Sequence, residues 1–194
     1  MPTININRKV FEELVGKKLP LEKLKDRISM LGTDLEEIND KEIIVEVFPN
    51  RPDMLSVQGF ARAFSSFIGV TTGLRQYKIE ASHEKMIVDK SVAEVRPYTA
   101  CAIVKNLNFD DEKIKEVIDI QEKLHITYGR NRKKVAIGIY PFEKIKTPIR
   151  FLAVEPKNIV FQPLEFNKEI NALEILEKHP AGKAYGHLLQ GKKK

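Results

Sequence analysis

The stretch from Glu46 to Gly69, EVFPNRPDMLSVQGFARAFSSFIG, limits the possible folds more than any other part of this chain. A short apolar strand runs into Pro49-Asn50-Arg51-Pro52-Asp53, and that turn opens into an amphipathic helix. Each proline fixes its own φ and pushes the residue before it toward extended geometry, so neither strand nor helix can run through the turn. Beyond it, Val57, Phe60, Ala61, Phe64, Phe67 and Ile68 recur at helical spacing, and Gly69 ends the run. Asn50, Arg51, Pro52 and Asp53 therefore read as a structural turn and cap rather than a ligand site. Asp53 is placed as the helix N-cap, worth typically ~1 kcal/mol. Arg51 is placed to tie the turn to a neighbouring carbonyl or carboxylate.

The residues before this stretch supply partners for it. Thr3–Asn7 alternates, with Ile4 and Ile6 on one face, as a strand does. Asn7 can cap a helix from Arg8 to Val15 that stops at Gly16. Pro20 suits the first turn of a second helix, with Leu21, Leu24, Ile28 and Leu31 as its apolar stripe and Gly32 at its end. Strands are expected at Asp34–Ile38 and Glu42–Phe48, joined by a turn at Asn39-Asp40. Residues 1–72 thus form one expected domain of small helices against a small sheet.

From Thr71 to Val92 the chain is more polar and less regular. Residues 73–92 are taken as the connecting segment and 93–194 as a second α+β unit. There, Tyr98–Val104 reads as a strand with Cys101 as a small core residue. Asp110 or Asp111 caps a helix that buries Ile114, Val117, Ile118 and Leu124. Val135–Tyr140 and Ile149–Val154 read as strands. A helix over Lys168–Lys178 carries Ile170, Leu173 and Leu176 and cannot pass Pro180. The closing Gly191–Lys194 is expected to fray. The fold class is α+β throughout.

Charge and composition narrow the function only a little. Of 194 residues 42% are hydrophobic, enough for a core, and the formal net charge of +6 permits RNA contact without requiring it. The single cysteine rules out an internal disulfide and a cysteine-cluster zinc site. No apolar run approaches the ~20 residues of a membrane span, and the first residues lack a signal-peptide core, so the cytoplasm is the expected setting. No nucleotide-binding glycine motif, P-loop or Ser-His-Asp signature appears.

One cluster carries a possible activity. Arg130, Arg132, Lys133 and Lys134 lie within five residues of the turn GRNRKK and could hold an RNA backbone electrostatically; a solvated helix-to-strand turn is the equal alternative. His83, His125, His179 and His187 show no ligand spacing and read as cap or surface histidines. His125 stands near a helix end, where a cation suits the dipole. His187, in a glycine-containing loop, is the one worth probing. No reaction is legible from these residues alone.

Three segments resemble a known family: EVFPNRPDMLSVQGFARAF; the run from Arg96-Pro97-Tyr98 through QEKLHITYGRNRKKVAIGIY; and HPAGKAYGHLL from His179. Together they are similar to the N-terminal region of the phenylalanine–tRNA ligase β subunit of the archaeal and eukaryotic-cytosolic type. The resemblance implies a small N-terminal domain followed by the first part of an editing domain. It also implies a parent enzyme that joins phenylalanine to tRNA(Phe) using ATP and Mg²⁺, in an α₂β₂ assembly with an α subunit. The region's own implied role is proofreading of mischarged Tyr-tRNA(Phe). Neither a membrane nor DNA is an implied partner. The family's β chain is several times longer, so the chain is expected to be an N-terminal fragment that stops within the editing domain. No catalytic residue is assigned, no cofactor is expected in the fragment, and the rival readings are a non-catalytic tRNA-binding module or an assembly module. A later domain of the family carries a magnesium site after a similar turn, with acids at the Asp and six, nine and ten residues on. Here those places hold Asp53, Gly59, Arg62 and Ala63, too few carboxylates for a hard cation, so no metal site is expected.

Overall fold

The computed structural model describes residues 2–192, and the expected fraying of Lys193 and Lys194 falls outside the described residues. The architecture is α+β, as expected. Two compact units form, each treated on its own: Met1–Lys78 with Asn108–Gly138, and Ile79–Leu107 with Ile139–Lys194. Asn108–Gly138, within the expected 93–194, thus groups with the N-terminal segment, where Gln58 donates to Glu116 at 2.7 Å.

The first unit is built on a three-stranded antiparallel sheet in the order β1-β3-β2 (β1 Thr3–Asn7, β2 Asp34–Ile38, β3 Glu42–Glu46). Thr3 faces Glu46 and Asn7 faces Glu42, and a bulge interrupts the β2–β3 ladder between Leu35 and Glu37. Helices α1 (Arg8–Val15), α2 (Leu21–Met30) and α3 (Val57–Phe67), with Met54 and Leu55 from the turn before α3, contribute the rest of the core. The side chain of Asn7 accepts from the Val10 amide at 3.1 Å, capping α1, and Gly16 ends it at φ 76°. Ile4, Ile6, Ile43, Val45 and Val47 from the strand segments meet Phe11 and Val15 of α1, Leu24 and Ile28 of α2, and Phe60, Ala61 and Phe64 of α3. Phe11 sits 5.6 Å from Phe60 and 5.2 Å from Phe64, ring centre to centre. Burying each ring is worth roughly 1.5–3 kcal/mol. Ser65, also buried on α3, donates to the Val15 carbonyl at 3.2 Å, which satisfies its hydroxyl. Phe67, expected on the apolar stripe, is exposed, whereas Ile68 beside it packs partly against the core.

Helix α4 (Asp111–Ile126) begins on Asp110, whose side chain accepts from the Lys113 amide at 2.8 Å. Its apolar residues are not buried as the spacing predicts: Ile118 is 54% exposed and Ile114 is also exposed, whereas His125 is 3% exposed. Val135–Tyr140 forms no strand. The backbone of Ile137 is taken instead by side chains of α4: Gln121 donates to its carbonyl at 2.5 Å, and its amide donates to His125 Nε2 at 2.8 Å.

The second unit holds two short two-stranded sheets. β4 (Met86–Val88) runs parallel to β5 (Ile149–Phe151), and β6 (Val160–Phe161) antiparallel to β7 (Ile170–Asn171). β4 thus arises within the expected connecting segment, and β5 is shorter than the expected Ile149–Val154. Helix α5 (Ala172–Lys178) starts on a capping box in which Asn171 and Glu174 bond each other's backbone amides. Pro180 does stop it, but also opens a further helix, α6 (Pro180–Tyr185), as proline can at a first helical position. Tyr98–Val104 forms no strand; Tyr98 is 89% exposed and Cys101 is exposed rather than in the core. Strand propensity is an affinity for a half-buried pleated surface, and nothing among the described residues offers that segment a neighbouring strand.

Candidate nucleic-acid interface

The Pro-Asn-Arg-Pro-Asp turn is closed internally. Arg51 donates to both carboxylate oxygens of Asp53 at 3.0 Å each, and Arg62 on α3 brings a second guanidinium to 3.6 Å. Hydrogen bonding to Arg51 holds the Asp53 carboxyl below the usual carboxylate range and raises Arg51 in return. Asp53 is not the N-cap of α3. It lies in a 3₁₀ turn, Pro52–Met54, and the cap is Ser56, whose hydroxyl accepts from the Gly59 amide at 3.0 Å. The proline at 52 tightens the chain one turn early and points Asp53 back at Arg51, leaving the next cap-forming side chain to start the helix. Gly59 permits this packing: a Cβ there would stand 2.0 Å from the Asp53 carbonyl oxygen. Asn50 is exposed at the tip. Two guanidiniums face the turn's only carboxylate. Among the described residues no group of three or more His, Cys, Asp or Glu side chains could hold a metal ion.

The basic turn is built differently. Arg130, Asn131 and Arg132 follow one another at φ 49°, 54° and 64°, a single left-handed turn. For non-glycine residues that conformation costs roughly 1–2 kcal/mol each, so surrounding bonds must impose it. They come from the end of α4. The amides of Gly129, Arg130, Asn131 and Arg132 donate to the carbonyls of Leu124, Thr127, Ile126 and His125 at 2.8, 3.0, 3.3 and 3.0 Å. Gly129 must be glycine here, since a Cβ would meet the Val135 oxygen at 2.6 Å and the His125 oxygen at 2.7 Å.

The four cations grouped by sequence do not share one environment. Arg130, Lys133 and Lys134 are exposed and make no ion pair among the described residues; Lys134 lies over the Tyr128 ring at 5.3 Å. Arg132 folds back, its side chain only 17% exposed, onto the Glu122 carboxylate. That contact holds the Glu122 carboxyl below its ordinary range, with His125 adding to the effect. The Ile137 amide donates to His125 Nε2 at 2.8 Å, the Ile137 carbonyl stands 3.1 Å from the same nitrogen, and Nδ1 lies 3.4 Å from Glu122. The sequence does not single out Glu122, and His125, expected as a cap or surface histidine near a helix end, is buried. Their one-turn spacing on α4, followed by an arginine beyond a glycine, was the available signal. His179 is a cap, its Nδ1 accepting from the Ala181 amide at 3.1 Å. His187 lies in a 3₁₀ turn, Gly186–Leu189.

No family model matches the chain. Phenylalanine–tRNA ligase β subunits do. That of Archaeoglobus fulgidus is 42% identical over 99% of this chain and 35% of its own length. That of Methanocaldococcus jannaschii is 43% identical over 100% of this chain and 36% of its own. The crystal structure of an N-terminal fragment of the phenylalanyl-tRNA synthetase β-subunit from Pyrococcus horikoshii superposes with a TM-score of 0.87 at 35% identity, covering 99% of this chain and 56% of that one. The chain spans about a third of the length of the curated relatives it matches. No helix among the described residues is long and apolar enough to cross a membrane. Similar from end to end to the archaeal proteins in both sequence and backbone, the chain belongs with the N-terminal part of the phenylalanine–tRNA ligase β subunits.

Proposed function

We propose that the chain works in the cytoplasm as the opening part of a phenylalanine–tRNA ligase β subunit, within the module that proofreads tRNA(Phe). The similarity along its whole length to β subunits, 42% in the Archaeoglobus protein, carries this reading. In it, residues 1–72 are the N-terminal domain, 73–92 the connection and 93–194 the first part of the editing domain. The complete enzyme would join phenylalanine to tRNA(Phe) with ATP and Mg²⁺ in an α₂β₂ assembly. These residues would supply no ligand for that chemistry.

Proofreading has a physical motive. A pocket shaped for a phenylalanine ring rejects tyrosine only about a hundredfold, because the analogue merely adds a hydroxyl. A second site that hydrogen-bonds that hydroxyl discriminates far better, since phenylalanine leaves its polar groups unpaired. Hydrolysis then needs a held water and donors aimed at the developing oxyanion. No such constellation is assigned here, so the chain is expected to contribute tRNA contact and scaffold rather than the reacting groups. Arg130, Lys133 and Lys134 suit the tRNA backbone, being cationic, adjacent and exposed. The test is deacylation of Tyr-tRNA(Phe). The 194-residue chain should be much slower than a full-length homologous β subunit in its α₂β₂ enzyme. A rate near that of the complete enzyme would contradict this division of labour. Absence of editing by the complete enzyme would reject the proofreading role.

A further inference from the structure

We infer that Arg132 is not an RNA contact but a positioning residue, which with Glu122 and His125 holds the left-handed turn so that Arg130, Lys133 and Lys134 face a nucleic-acid backbone. The inference rests on the RNA reading above and divides a cluster that the sequence treats as uniform.

Three observations carry it. The turn is left-handed at three successive non-glycine positions, two of them arginines, a conformation that persists only where neighbours enforce it. Its amides are consumed by the carbonyls at the end of α4, so the turn offers an anion no cradle of backbone donors; attraction must come from side chains. Finally, Arg132 turns inward onto Glu122, which also faces His125, and His125 takes the Ile137 amide at 2.8 Å. The three side chains join α4, the turn and the segment after it. The remaining cations are left pointing outward on a fixed backbone.

The probe is an uncharged tRNA(Phe) transcript, with affinity for the full chain measured across a salt series. Removing a phosphate contact lowers the slope of log affinity against log salt by about 0.9 for a duplex and about 0.7 for a single strand. Arg130→Ala, Lys133→Ala and Lys134→Ala should each lower the slope. Arg132→Ala should weaken binding with the slope unchanged. Glu122→Gln gives the sharper sign. It removes a negative charge and releases Arg132, so a direct Arg132 contact predicts tighter binding and a positioning role predicts weaker binding. Tighter binding by Glu122→Gln, or a slope loss in Arg132→Ala like that in Arg130→Ala, would overturn the inference. An unchanged slope in all three outward variants would instead reject the RNA reading. The positioning role is then judged by hydrogen exchange at the Ile137 amide: faster exchange in Glu122→Gln upholds it, and wild-type protection refutes it.

Discussion

Residues Ile4 to Phe64 and the residues beyond 78 use similar amino acids to different ends. The first segment turns most of its apolar positions into core, although Val10, Leu14, Met30, Phe48 and Leu21, the last expected on the α2 stripe, stay exposed. Among the described residues, all the buried hydrophobic side chains except Val92 and Ile170 lie within it. Beyond 78 the apolar residues are just as frequent to the eye, yet Tyr98, Val104, Ile118, Ile139, Tyr140 and Leu164 are exposed. Composition supplies material for burial, but burial needs a second surface. The first segment brings its own, a sheet faced by α1, α2 and α3. Apart from α4, which groups with the first unit, the later residues form strands of two or three residues and short helices, held together by caps and side-chain bonds to backbone more than by a shared interior.

The widest gap should appear in mutant stability. Phe64→Ala, in contact with Phe11, is expected to cost about 3–5 kcal/mol in urea unfolding, while Ile118→Ala should stay within about 0.5 kcal/mol. Equal effects would break the comparison. A smaller difference sharpens it at the turn between sheet and α3. Ser56→Ala should cost about 1 kcal/mol as loss of an N-cap, and Asp53→Asn less, since exposed ion pairs are worth about 0.2–1 kcal/mol. If Asp53→Asn proved the costlier change, the helix would start where sequence alone places it. The smallest expected effect is on acid stability. The carboxyls of Asp53 and Glu122 are lowered on folding, by Arg51 and Arg132 respectively, so their contribution is complete above the unfolded values near 3.8 and 4.5. It fades as pH falls through the lowered native values. Arg51→Gln should therefore remove part of the stability lost below about pH 4 in wild type, leaving a shallower acid transition.

Much of the first segment was legible because its signals are local. Asn7 and Gly16 mark the ends of α1 by cap chemistry, and Asn39 makes its turn by accepting the amides of Lys41 and Glu42 at 2.9 and 3.0 Å. The misplaced cap shows the limit of such reasoning. Asp53 and Ser56 are both good caps three residues apart, and the turn set by Pro52 together with the competition of Arg51 for the carboxylate decides between them. Elsewhere the deciding partner is remote in sequence. Tyr98–Val104 has strand composition without a partner strand, and Ile137 gives its backbone to Gln121 and His125 instead of a ladder. Of the candidate interface, the cluster of charge was legible. The withdrawal of Arg132 onto a glutamate ten residues earlier had only the weak signal of Glu122 and His125 one turn apart ahead of Gly129, and no periodicity links a helix to the turn that caps it.

The contrast between a self-sufficient core and an unpartnered remainder is tested most directly by native-state amide hydrogen exchange on the 194-residue chain. The amides of Ile4, Ile6, Ile43 and Val45 should exchange only through near-global opening. Those of Tyr98 through Val104 should exchange close to the rate of an unstructured peptide. Comparable protection in the two segments would contradict the account, since it would require Tyr98–Val104 to be hydrogen-bonded in a sheet that this fold does not contain.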